Sequence, residues 1–464
     1  MSRIADTREV ILTSDSSGEH WSAAVWDHRT GSILSTYKNA GALSHRTLQL
    51  LSDSYIVGAD LTKPRIHVWP LNSHSPVSNL RLTTPGKVTA LNCTPNGAYM
   101  VAAISEKLFV WQLCNGRLLK NLSQHYQTVT CLTFTKDGSI FASGAEDGLI
   151  FVWSLYRVLN EEHPTPLHAF SHHSLPVKDL QFGHAGARGR LCSVSLDRTC
   201  NIYDPGSGSL LLTLVFDVPL TSVSMNARES DLFVGCTNGD IYGFNLHEPP
   251  RGIEHHVQVR NDGNSDGVIV FQGHKSSVVS LSISIDCRYL VSGSTSGEVH
   301  VWDIASRQIL RTIDHKGPIT AAFFAKNYDN FRVTDLKPRL QLCNLHRISD
   351  DSGKESFIEV ISRDRNTTDI LDFDLYTEKN IDMAGSKDVT SKKFSEMRDE
   401  IDKLKKINAL FGKSSLMKTD HNKEYLLHAV NNVTYLTYLS QSFLFCLKIG
   451  YVAKNEIAVI SNQL

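Results

Sequence analysis

The chain carries almost no net charge. Its 464 residues hold 47 Lys and Arg against 48 Asp and Glu, a formal −1. A protein held on nucleic acid or an anionic membrane by bulk electrostatics needs a basic excess, so any RNA contact is expected to be indirect or weak. Nine cysteines stand at 93, 114, 131, 192, 200, 236, 287, 343 and 446, and no two form a Cys-x-x-Cys pair. Odd in number and set mostly in apolar runs, they read as small hydrophobes in a reduced, intracellular protein. Met1 to Val10 mixes Arg3, Asp6, Arg8 and Glu9 and has no apolar core, so no secretory signal is expected. Phosphate-loop spacing, Gly-x-Gly-x-x-Gly and a nucleophile elbow are also missing. No catalytic residue, cofactor or metal site is assigned, and the protein is read as a non-enzyme.

What the chain does have is a repeat. Short β-rich runs end in Val25-Trp26-Asp27, Val68-Trp69-Pro70, Val110-Trp111-Gln112, Val152-Trp153-Ser154 and Val301-Trp302-Asp303. Ile202-Tyr203-Asp204 and Gly243-Phe244-Asn245 are degenerate members. The aromatic positions lie 43, 42, 42, 50, 41 and 58 residues apart. A four-stranded propeller blade takes about 40 to 45 residues, and the two long gaps contain insertions. The pattern resembles WD repeats over residues 1–325, and seven aromatic ends imply an all-β, seven-bladed propeller.

In WD repeats a buried Trp, Ser, His and Asp form one hydrogen-bonded relay. This chain has a complete set, His125, Ser143, Asp147 and Trp153, and two partial ones. His173, Ser193 and Asp197 accompany Tyr203; His274 and Ser292 accompany Trp302, with Ser296 in the Asp place. A hydrolase triad is the rival reading. Recurrence in each blade and the lack of an activating context favour the structural role.

Nothing before Val10 supplies an inner strand for blade 1, whereas Pro318–Phe324 resembles the inner strands Lys87–Leu91 and Thr128–Phe134. Residues 318–324 are therefore expected to close blade 1, leaving no free sheet edge at the junction. Leu155–Pro166 fits one helical turn, and His184–Arg190 reads as a blade loop in preference to a phosphate cradle. Leu246–Gly267, polar and rich in Pro, Asn and Asp, reads as a surface loop.

Beyond the repeat, residues 326–390 read as a polar connector, partly disordered. In 391–413, Phe394, Met397, Ile401, Leu404, Asn408 and Phe411 take heptad a and d positions. This suits a coiled coil, a helix in a partner's groove, or a helix docked on the propeller. Residues 414–464 form an atypical tail whose 425–447 stretch lacks Asp, Glu, Lys and Arg. His428, Asn431, Asn432 and Gln441 argue against a membrane span there.

Several phrases are similar to the WD repeat-containing protein 18 family. They are Ser22-Ala23-Ala24-Val25-Trp26, Ser123-Gln124-His125-Tyr126-Gln127, Trp153-Ser154-Leu155, Ser171-His172-His173-Ser174-Leu175-Pro176, Leu211–Asp217 and Leu404-Lys405-Lys406-Ile407-Asn408. The resemblance covers about residues 8–325 and 391–411 and stops before the tail. It implies a non-catalytic scaffold subunit of the rixosome in the nucleus (nucleolus and nucleoplasm). That assembly acts in pre-rRNA internal-spacer processing and maturation of the large ribosomal subunit, with a further link to DNA replication pre-initiation. The partners it implies are a helical-repeat scaffold subunit, the other rixosome subunits, a AAA remodelling ATPase and the pre-60S particle. Self-association through 391–413 is a further expectation. Candidate partner-binding residues are Tyr126, Tyr156, Arg157, His172 and Arg188. The rival classes are a substrate receptor of a ubiquitin ligase and a membrane-anchored coat component.

Overall fold

The computed structural model describes residues 9–247, 252–257, 268–334, 336, 338, 340–347 and 403. The chain divides into two compact units, Met1–Glu355 and Ser356–Leu464. In the second only Lys403 is described, as helical and exposed. The seam residues Phe394, Met397, Ile401, Leu404, Asn408 and Phe411, and the 425–447 run, lie outside the described residues. Among the described residues no helix is long and apolar enough to cross a membrane.

The strands of the first unit form seven sheets, each with four antiparallel strands, the seven blades expected of the repeat. Blade 4 shows the plan: inner strand Val129–Phe134, then Ile140–Ala145, then Ile150–Ser154, then the outer strand His168–Phe170. The middle two strands are covered on both faces, so they are near-continuous buried runs and lack polar alternation. Each aromatic end lies on the third strand of its blade. Trp69, Trp111, Trp153 and Tyr203 are fully buried there, and Trp302 is 1% exposed. The two turns within blade 4 use Asp-Gly pairs, Asp137-Gly138 and Asp147-Gly148. Asp147 Oδ1 accepts from Leu149 N–H (2.9 Å), and Gly148 takes φ +77°. A side chain at Gly148 would also meet the His173 carbonyl of the next blade.

Blade 1 is built from both ends of the repeat region. Ile319–Lys326 is its inner strand and pairs antiparallel with Glu9–Asp15, followed by Ala23–Trp26 and Ile33–Tyr37. Hydroxyls on or beside the inner strands hook four of the blades to the next. Thr89 Oγ1 donates to the Val129 carbonyl, Thr130 Oγ1 to Val177, Thr221 Oγ1 to Val278 and Ser280 Oγ to Ala322. Arg46 reaches across the middle of the ring. Its backbone N–H donates to the Thr320 carbonyl of blade 1 (3.0 Å), its guanidinium pairs with Asp179 of blade 5, and Nη2 donates to the Thr221 and Val279 carbonyls of blades 6 and 7.

Two segments depart from a plain propeller. Within Leu246–Gly267, read from the sequence as a loop, Glu254–His256 adds a fifth strand parallel to the outer strand of blade 5, Ser209–Val215. Three residues are too few for a periodicity signal; the exposed backbone edge of blade 5 supplies the pairing, and buried Val257 anchors its end. After blade 1 closes, residues 340–346 run as a strap under blades 2 and 3. Cys343 N–H donates to the Leu113 carbonyl (3.2 Å) and His346 N–H to Gly116 (2.8 Å). Leu340, Leu342 and Leu345 pack into the apolar cluster around Trp111, Leu113 and Leu118. Gly116, at φ +70°, leaves room for the Asn344 carbonyl where any side chain would collide.

Candidate functional site

In blade 4 the Trp153 indole N–H donates to Ser143 Oγ (3.1 Å), which lies 2.8 Å from His125 Nε2. His125 Nδ1 lies 3.2 Å from Asp147 Oδ2, and that oxygen also accepts from Tyr126 N–H. Burial holds His125 below the usual histidine pKa, against the attraction of Asp147. Blade 5 repeats the arrangement: His173 Nε2 is 2.7 Å from Ser193 Oγ and Nδ1 is 3.0 Å from Asp197 Oδ2. Burial pushes Asp197 up, but the hydrogen bonds from His173 and Thr199 together outweigh it and bring its pKa down to about 2. Tyr203 stands in the Trp place, and its hydroxyl makes no hydrogen bond among the described residues.

Blade 7 has the first half of the relay. Trp302 Nε1 donates to Ser292 Oγ (2.8 Å), which is 2.6 Å from His274 Nε2. With Ser296 in the Asp place, His274 Nδ1 has no partner among the described residues. Ser143, Ser193 and Ser292 are all fully buried. A hydroxyl without solvent access meets no substrate; these relays tie the loop entering each blade to the turn between its second and third strands.

A fourth set escapes any fixed offset. Trp26 donates to Thr13 Oγ1 (2.8 Å), while His315 packs edge-on against Trp26 and sits 3.6 Å from Asp15. The histidine arrives from the far end of the repeat region, so no local window contains the set. Trp69 and Trp111 instead donate to backbone carbonyls, of Lys38 (3.0 Å) and of His346 in the strap (2.9 Å). Carbonyl acceptors leave no side-chain signature in the sequence.

The five candidate partner-binding residues do not share one surface. Tyr126 (84% exposed) and His172 flank the relay loops of blades 4 and 5, on the face carrying the turns after the second strands. Leu175, 48% exposed, lies beside them. Tyr156 and Arg157 sit on the helix Leu155–Asn160, whose first N–H donates to the Ser139 carbonyl at the opposite end of blade 4. Arg188 shares that end, since Ala187 N–H donates to Asp137 Oδ2. On the same face a cavity of about 700 Å³ opens among blades 4, 5, 6, 7 and 1. Lys136, His184, Lys326 and Arg332 line it together with Glu9 and Asp329, around the apolar Met225, Ile283 and Phe324. The disc thus offers an exposed tyrosine on each face, Tyr126 on one and Tyr156 on the other, and a cavity of mixed charge on the face of Tyr156.

The family model described as WD domain, G-beta repeat matches residues 116–154, 164–204 and 266–303, which fall on blades 4, 5 and 7 and their flanks. The chain is 35% identical to the WD repeat-containing protein 18 of Homo sapiens over 424 residues, spanning 87% of this chain and 96% of that protein. It is 28% identical to the Pre-rRNA-processing protein IPI3 of Yarrowia lipolytica, over 78% of this chain and 86% of that one. The Pre-rRNA-processing protein pro-1 of Caenorhabditis briggsae is also 28% identical, over 70% of this chain and 62% of its own length.

Proposed function

Since the chain belongs to the WD repeat-containing protein 18 family, we propose that it is a non-catalytic scaffold subunit in pre-rRNA processing and large-subunit maturation in the nucleus. The observation that carries this reading is the likeness over 96% of the human relative's length, beside two more distant relatives named for pre-rRNA processing. The propeller supports it physically: a rigid ring presents loops on two faces, with aromatic and arginine anchors of the kind that dominate protein interfaces. Its partners in this role are the helical-repeat scaffold subunit, the other rixosome subunits, the AAA remodelling ATPase and the pre-60S particle. The 391–413 segment provides self-association or partner docking.

Affinity purification of tagged full-length protein and of a form ending at residue 390, followed by mass spectrometry, tests the proposal. Pre-60S proteins and a helical-repeat scaffold are expected with the full chain. Loss of partners or of self-association from the shorter form assigns that role to 391–413. Recovery of ubiquitin-ligase subunits or coat proteins without ribosome-assembly factors overturns the reading.

A further inference from the structure

Blade 7 lacks the acid that completes the relay of blades 4 and 5, and the gap is not apolar. His274, only 7% exposed, turns an unpartnered Nδ1 toward it. A second imidazole lies against the first: the rings of His274 and His300 stack with centroids 4.1 Å apart and planes 20° from parallel. In blade 4 the residue at the place of His300 is Phe151, which packs on His125. Two residues before His300 on the same face of the strand Glu298–Asp303, the Glu298 carboxylate lies 3.9 Å from His300 Nε2. A ring nitrogen of each histidine and a Glu298 oxygen all fall within 4.8 Å of one another.

We propose that His274, His300 and Glu298 bind a zinc ion in the place of the missing aspartate. Two neutral imidazoles and a carboxylate are a zinc donor set, with water left as fourth ligand. The neighbours suit it. Ser292 Oγ can accept from His274 Nε2–H, the outer contact that leaves the Nδ1 lone pair for a metal. Thr312 Oγ1 lies 3.2 Å from His300 Nδ1, so Nε2 is the nitrogen turned toward Glu298. The Glu298 side chain is 35% exposed and gives the ion its entry. Zinc–nitrogen bonds of about 2.0–2.1 Å require the three donors to draw inward and one imidazole to turn out of the stack. The ion would join the loop entering blade 7 to its third strand, as Asp147 joins loop to turn in blade 4.

The test uses chelator-washed, full-length protein and zinc chloride alone. One equivalent of zinc is expected to survive gel filtration and to raise the melting temperature, and cobalt(II) in its place should give the visible absorption of a four-coordinate site. His300→Phe installs the side chain that blade 4 tolerates, and Glu298→Gln keeps the shape of the acid. Each should weaken zinc binding roughly tenfold or more and abolish the cobalt bands, whereas the exposed His163→Ala should change neither. No zinc-dependent shift in the wild type overturns the proposal. So does equal zinc binding by H300F and E298Q, which would place the ion on other histidines.

Discussion

Without the Ser143 hydroxyl, the Trp153 indole N–H and His125 Nε2 would both lose their partner in a buried site. Ser143→Ala is therefore expected to cost about 1–3 kcal/mol, read as a lower urea midpoint with unchanged slope. Arg46→Met should cost more, about 3–5 kcal/mol, because Asp179 stays buried with its ion-pair partner gone. Acid acts on the same polar interior in two steps. Burial lowers the pKa of His125 and His67, whereas the unfolded chain takes up those protons near about pH 6.5. Stability should fall as pH drops below that point. Asp197, at about 2 when folded against about 3.9 unfolded, adds a further loss as pH falls through about 4 toward 2. Melting temperatures recorded from pH 7.5 to pH 3 should decline throughout; a flat profile would contradict this account. At this scale the relays of blades 4 and 5 are legible in the sequence, because their members recur at nearly fixed offsets. The blade 1 set is not, since His315 comes from the opposite end of the repeat region.

Among the elements, the strands declare themselves through buried runs between short polar turns, while the strap does not. Residues 340–346 have no periodicity because they form neither helix nor strand. They are held by backbone bonds to Leu113 and Gly116 and by three leucines set among polar residues. Edge pairing by Glu254–His256 is illegible for a similar reason: the template lies in blade 5, not in the segment itself. Gly116→Ala tests the strap, since a Cβ there would run into the Asn344 carbonyl. Amide exchange should quicken at Cys343 and His346 in this variant while the amides of blade 5 keep their protection. Unchanged exchange at both would show that the strap yields without detaching.

For the whole molecule, the ring depends on a strand that belongs to its first blade but follows its last. A chain ending at residue 317 lacks the Ile319–Lys326 partner of Glu9–Asp15 along with Thr320 and Ala322, which receive Arg46 N–H and Ser280 Oγ. It is expected to lose cooperative unfolding, whereas a chain ending at 347 should melt as one unit. Circular dichroism on the two settles the matter. The same closure has a consequence in time. Ser14 and Thr320, hydrogen-bonded side by side in blade 1, are 306 positions apart. At about 5–20 residues per second of synthesis, the first strand waits on the order of 15–60 s for its neighbour to leave the ribosome. Through that interval its open edge is a sticky nascent surface, so each newly made copy should need a holding chaperone until the final blade strand emerges.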